Sequence, residues 1–481
     1  MGLEKPTARL IACFVGAATM GCVPPGEPAR PARSAMATPA RPAPSTAPSS
    51  SAGAARAPHP IPAATPSSRR LRALARRAEA AAQLGADYIT ANTRDDGKLV
   101  YLRNLDPEVP VPRKYNVLRH AGALYALGQV YARWPTPARA AALGRSLRYF
   151  QERYVRPVPG HETEGRYAVW SHRRTDEAKL GGAGLALVAF TALDPPFGDP
   201  AVRTGLARFI VSMQRPDGSF FSKYFVDRGP DDRWTSLYYP GEAALGLLRL
   251  HDVSGDADDL DPAPREVATA ALRHLAEQRR GRDRVPPDHW ALIATAQRLA
   301  QGDLDSALEA DLRRHAGQVI DGMLTSVDGD ADDPAFGAFH EDGRTTPTAT
   351  RLEGMLAMRP FLRDRDRAAA VDDAAPRAIA FLLRAQRTEG PHPGAVPRAV
   401  TRREAVGARV DDRAKEVRID YVQHAVSAWL AFAALHPEVD GDPASPADDE
   451  GGQVDEVERR AEGEGEEDAQ DVAPGDGSRK P

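Results

Sequence analysis

The chain has 481 residues and a formal net charge of −4, with 27% charged and 6% aromatic residues. That length suits one large domain or two ordinary ones, and the nearly balanced charge leaves no nucleic-acid footprint. The only cysteines, Cys13 and Cys22, precede the globular part, which excludes a disulfide scaffold or a cysteine-ligated zinc site within it.

The first segment, MGLEKPTARLIACFVGAATMGC, puts Lys5 and Arg9 before an apolar run from Leu10 to Gly21. The run is too short to span a bilayer and fits an export signal over residues 1–21. Its end, TMGC, resembles the bacterial lipoprotein box, with Thr19 where that pattern usually has Leu. The resemblance implies that Cys22 carries acyl chains of the palmitate type. It also implies a protein anchored in the bacterial cell envelope, facing the periplasm or the cell surface. An ordinary secretory signal with an incidental cysteine is the alternative. Residues 22–68 are Pro, Ala and Ser, a composition that cannot bury a core and forms an extended tether. Residues 438–481 are acidic and Gly-rich, read as a solvated tail.

Between them, residues 69–437 are helical in pattern, and the helices come in pairs. In chain order the amphipathic, Arg-rich members are LRALARRAEAAAQLGADYI, PARAAALGRSLRYFQERYV, AVRTGLARFIVSMQ, REVATAALRHLAEQ, SALEADLRRHAGQVIDGML and AAPRAIAFLLRAQ. Each is followed by a nearly all-apolar partner: HAGALYALGQVYA, GGAGLALVAFTAL, GEAALGLLRL, HWALIATAQRLA, EGMLAMRPFL and QHAVSAWLAFAAL. Amphipathic helices belong outside and all-apolar, Gly/Ala-rich helices inside. Pairs recurring at roughly 50–70 residues signal a repeat array. Six outer and six inner helices predict an all-α fold, an (α/α)6 toroid. An open solenoid is the alternative, although the last inner helix is apolar to Leu435, as if the first pair covers it.

This organisation resembles the (α/α)6-toroid superfamily of six-hairpin glycosidases, polysaccharide lyases, epimerase domains and terpenoid-cyclase-like proteins. QRPDGSF (Gln214–Phe220) resembles the QW-type repeat of the last branch, and AQRTEG (Ala385–Gly390) is a weaker echo. The resemblance implies a carbohydrate-directed activity but fixes no reaction, because such folds host unrelated chemistry.

In such a ring the inner-helix N-termini share one mouth, where free N–H groups and dipoles favour anions and electron-rich oxygens. The polar groups sit at those heads. They are Arg119 and His120; Asp176, Glu177 and Lys179; Tyr238, Tyr239 and Glu242; Asp288, His289 and Trp290; Arg351 and Glu353; and Asp420, Tyr421, Gln423 and His424. Candidates for acid/base work are His120, Glu242, Glu353, Asp420, Tyr421 and His424. Glu242 and Glu353 could equally be first-turn carboxylates favoured by the helix dipole, and the histidines could be buried hydrogen-bonding groups. Arg119 is either clamped by an acid such as Asp420 or, with Lys179, holds an anionic ligand group. Tyr101, Trp170, Tyr238 and Trp290 are candidate substrate-binding aromatics, or they pack the loops together. No cofactor or phosphate-loop signature is present. No metal site is expected: the acidic loops Asp252–Asp259 and Asp328–Phe339 have calcium-like spacing but lack the turn glycine and the bidentate glutamate.

The expectation is an exported, lipid-anchored toroid that acts on or binds a polysaccharide or glycoconjugate by hydrolysis, elimination or epimerisation. A non-catalytic binding lipoprotein and a terpenoid-cyclase-like enzyme are the alternatives. The latter is weakened because no Asp-rich protonating motif occurs in the helices.

Overall fold

Most of the outer helices announce themselves at their starts. Thr136, Asp199, Asp305 and Asp364 hold extended backbone and accept hydrogen bonds from first-turn amides, and Pro137 and Pro200 follow two of these caps. A computed structural model describes residues 66–171, 176–254, 260–324, 332–340, 342–400 and 413–438. The export signal, Cys22 and the acidic tail lie outside the described residues, as do parts of both acidic loops.

The described residues of 66–437 contain twelve α-helices in six hairpins. The outer members are α1 (Pro66–Ala91), α3 (Pro137–Tyr154), α5 (Pro200–Ser212), α7 (Pro264–Gln278), α9 (Ser306–Met323) and α11 (Arg365–Ala385). The inner members are α2 (Val117–Arg133), α4 (Leu180–Phe190), α6 (Tyr239–Ser254), α8 (His289–Ala300), α10 (Thr345–Met358) and α12 (Ile419–Leu435). Each inner helix packs against the next, and α12 packs back onto α2, so the ring is closed and the open solenoid is excluded. All residues of α4 are buried, whereas α3 buries a single stripe through Ala142, Leu143, Ser146, Leu147 and Phe150. This is the inner–outer division that the apolar patterning predicts.

Short antiparallel strand pairs link the loops at the mouth. Strand β1 (Leu102–Asn104), ahead of α2, pairs with β7 (Glu416–Arg418), ahead of α12. It therefore ties the first inner helix to the last. β2 (Val155–Pro157) pairs with β3 (Tyr167–Val169), and β4 (Glu177–Lys179), ahead of α4, forms a three-stranded sheet with β5 (Lys223–Phe225) and β6 (Gly229–Asp231), ahead of α6.

Candidate active site

Glycine lets the inner-helix heads approach closely. A Cβ on Gly241 would lie 2.5 Å from the Ala291 amide nitrogen, and one on Gly354 would lie 3.0 Å from Cα of His289. The heads of α6 and α8 thereby meet the middle of α10, where Glu353 lies eight residues past the helix start and not in the first turn as expected for it, and α12 joins them through His424.

The core of the site is His289, Glu353 and His424. Nδ1 of His424 lies 2.8 Å from Oε2 of Glu353, and both side chains are nearly buried. A carboxylate oxygen accepts, so Nδ1–H donates, and in the neutral ring it is Nε2 that carries the lone pair. Gln423 Nε2 is 3.3 Å from the same Nδ1. The His289 ring stands 5.2 Å from the His424 ring at 82°. Trp290 borders both imidazoles, at 5.0 Å and 6.1 Å, and Tyr238 borders His289 at 5.4 Å. Burial, and then the neighbouring His424, push the His289 pKa well below the usual histidine value, so His289 is a neutral base. Its Nε2, like Oε1 of Glu353, is buried without a hydrogen-bond partner among the described residues. Buried polar atoms left this way cost free energy in the resting protein and are natural points of attachment for a ligand.

Glu242, on the adjoining head of α6, is also buried, with Oε2 unpartnered among the described residues. Burial, helped by Asp288, pushes its pKa up to about 8, so it is protonated at neutral pH and can donate. Asp288 itself is fully buried. Its Oδ1 accepts from the Ala291 amide at 3.1 Å and caps α8, while its Oδ2 accepts from Arg279 Nη2 at 2.9 Å. Arg279 Nη1 lies 3.1 Å from His315 Nε2, so α7 and α9 brace the head that carries His289.

The remaining predicted residues divide between the rim and the packing. Asp420 is gripped by two arginines. Arg119 Nε donates to its Oδ2 at 2.9 Å, and Arg418 donates to its Oδ1 at 2.5 Å and its Oδ2 at 2.9 Å. Tyr101 OH accepts from Arg119 Nη1 at 2.8 Å. Tyr421 OH donates to Glu416 at 2.7 Å, so it is committed to the β7 edge. Lys179 stands beside Glu177, which Lys223 also approaches. A cavity of about 270 Å³ lies there, lined by Tyr115, Asn116, Val117, Leu118, Ser171, Glu177 and Lys179, none of them part of the imidazole cluster. Trp170 is buried and packs on Arg156 rather than lining a cleft.

His120 does not join the cluster. It lies fully buried between α2 and α3, with Nε2 2.8 Å from Ser146 Oγ and Nδ1 2.7 Å from Tyr115 OH, and burial lowers its pKa to about 3. His289, and not His120, is the histidine that stands against His424. Its signal was present: an imidazole directly after a capping Asp at the head of an otherwise apolar helix.

His289, Glu353 and His424 each offer a ligand atom, all within 4.8 Å of one another, so this set could also receive a cation. The hydrogen bond between His424 Nδ1 and Glu353 Oε2 uses one ligand atom of each, while Glu353 Oε1 and His289 Nε2 stay unpartnered among the described residues.

No family model and no curated protein matches the chain. Solved structures do. A D-mannose isomerase aligns with TM-score 0.52 at 10% identity, over 74% of this chain and 96% of its own. The cellobiose 2-epimerase of Spirochaeta thermophila DSM 6192 aligns with TM-score 0.52 at 13% identity, over 78% and 100%. That of Bacillus thermoamylovorans B4167 aligns with TM-score 0.51 at 11% identity, over 72% and 95%. At these identities the likeness is one of fold: the chain is an (α/α)6 toroid of the six-hairpin type.

Proposed function

We propose that the protein is a carbohydrate isomerase or epimerase that moves a proton at a sugar carbon next to a carbonyl. The observation that carries this reading is the pair of buried imidazoles on α8 and α12, face to edge at 5.2 Å, one of them oriented by a carboxylate. One imidazole Nε2 takes the proton from the carbon, and the C–H electron pair moves to give an enediolate. The imidazolium so formed returns the proton to the neighbouring carbon for isomerisation; epimerisation requires the other imidazole to enter as imidazolium and give its proton to the opposite face, while the first keeps the proton it took. Glu353 fixes the His424 tautomer and stabilises the imidazolium while it lasts. Glu242, protonated beside them, is suited to donate to the enediolate oxygen. The sugar isomerase and epimerases among structures of this fold support the same chemistry.

Incubating the purified chain with aldoses and with cello- and manno-disaccharides tests this. Epimeric or keto products without new reducing ends are expected. New reducing ends would instead support glycoside hydrolysis with Glu242 as the acid, a reading favoured by its raised pKa. Binding without turnover would leave the chain a glycan-binding protein.

We also infer export and anchoring in the bacterial envelope through Cys22, on the strength of the TMGC box and the Pro-rich spacer. Cys22→Ala should move the protein from the membrane fraction to the soluble fraction. Unchanged fractionation would contradict the anchor.

A further inference from the structure

Among the described residues, two clusters beside the inner helices hold more cations than carboxylates. In the first, Asp420 is shared by Arg119 and Arg418. In the second, Glu177 is shared by Lys179 at 3.5 Å and Lys223 at 3.6 Å. One carboxylate neutralises one cation, so each cluster keeps about one unit of positive charge. These side chains are only 21–35% exposed, apart from Asp420, which is 6% exposed, so water screens the surplus poorly. Two acids beside these clusters are engaged elsewhere: Asp231 pairs with Arg233 and Arg228, and Glu416 accepts from Tyr421.

The clusters adjoin each other and the site. Tyr239 lies within electrostatic range of Arg119, Glu177 and Glu242, and its ring packs at 5.6 Å on Trp234, over which Lys223 sits at 5.0 Å. Asp420 and His424 are four residues apart on α12, one turn or about 6 Å along the axis. The cavity lined by Lys179 and Glu177 gives room beside the second cluster.

We propose that the substrate is an anionic saccharide, whose carboxylate, sulfate or phosphate group docks between the Arg119–Arg418 and Lys179–Lys223 clusters while the reacting carbon reaches His289 and His424. The anion supplies the missing countercharge, and Arg418 and Lys223 become specificity-determining residues. The choice of reacting carbon rests on the isomerase or epimerase reading; the binding of the anion does not.

The test uses the full chain and titrates three probes by calorimetry, a glucuronate oligosaccharide, a sulfated mannose and mannose 6-phosphate, against neutral mannobiose and cellobiose. At least one anionic probe should bind about tenfold or more tightly than the neutral sugars. The tightest identifies the group, and its affinity should fall with added salt while that of neutral sugars does not. Arg418→Gln and, separately, Lys223→Gln should each remove most of that preference while leaving the thermal midpoint close to that of the parent. Lys223→Gln guards against a folding defect from unbalancing Asp420. Equal or tighter binding of the neutral sugars, no binding of any anionic probe, or an anionic preference unchanged in both variants would overturn the proposal. Tight binding of a uronate without turnover would uphold it and count against the catalytic reading instead. Turnover of neutral sugars alone would do the reverse.

Discussion

His424 is chemically useful because Glu353 holds one of its nitrogens and leaves the other free, and His289 because burial keeps it neutral. Replacing either should therefore remove proton transfer without unfolding the ring. His424→Asn and His289→Gln are each expected to lower kcat by about 10²–10⁴-fold, with the thermal midpoint nearly unchanged, in steady-state assays beside thermal melts. Glu242 yields a stability prediction. Its folded pKa of about 8 lies above its ordinary value, so the folded state holds a proton that the unfolded chain releases. The resulting cost is absent in acid, grows as the pH rises from the ordinary carboxylate range, and is complete above about 8. Glu242→Gln, which cannot ionise, should raise the thermal midpoint more at pH 8 than at pH 5; an equal shift at both pH values would refute the assignment. The same scale explains what the sequence could not sort. Arg119 and His120 are adjacent, but neighbouring helix residues point about 100° apart. One therefore reaches Asp420 at the mouth and the other turns outward to Ser146. Without the phase of α2 relative to its neighbours, nothing in the residue types says which is which.

Among the elements, the outer helices carry many arginines, and the structure gives several of them work beyond solubility. Arg139 joins Asp87 of α1 and the Trp134 carbonyl, Arg203 donates to the carbonyls of Phe197 and Gly198, and Arg279 holds Asp288. They satisfy loop carbonyls and caps that the helical hairpins leave bare. Composition displayed these arginines, but their partners lie in other segments and could not be read from it. The Arg279–Asp288 pair is buried, and removing one partner strands the other. Asp288→Ala should cost about 3–5 kcal/mol in urea unfolding and also lower kcat, because the head of α8 carries His289. Gly184 is a second element-scale test. A Cβ there would meet the Glu242 carbonyl oxygen at 2.4 Å and the Ala243 nitrogen at 2.7 Å, backbone atoms that cannot step aside. Glycine to alanine inside a helix ordinarily gains about 1 kcal/mol. Gly184→Ala should instead lose about 1–3 kcal/mol by urea unfolding, because α4 and α6 must separate.

For the whole molecule, the packing of successive inner helices turns scattered residues into a site. His289, Glu353 and His424 are far apart in sequence, and the packing of α8 on α10 and of α10 on α12 makes them neighbours. The ring was legible: the alternation of Arg-rich and all-apolar segments prescribes six inner and six outer helices, and the apolar end of α12 anticipates its cover by α1 and α2. The pairing of imidazoles across the ring was not, since it depends on helix rotation and on the glycine-lined approaches of α6, α8 and α10. Proton exchange with solvent reports on that pairing most directly. In D₂O, the chain and a sugar that it turns over should wash deuterium into the carbon next to the carbonyl, seen as loss of that proton's NMR signal. His289→Gln and His424→Asn should each abolish the wash-in. Products formed with no deuterium at carbon, or exchange that persists in both variants, would contradict a proton-transfer site built from these two histidines.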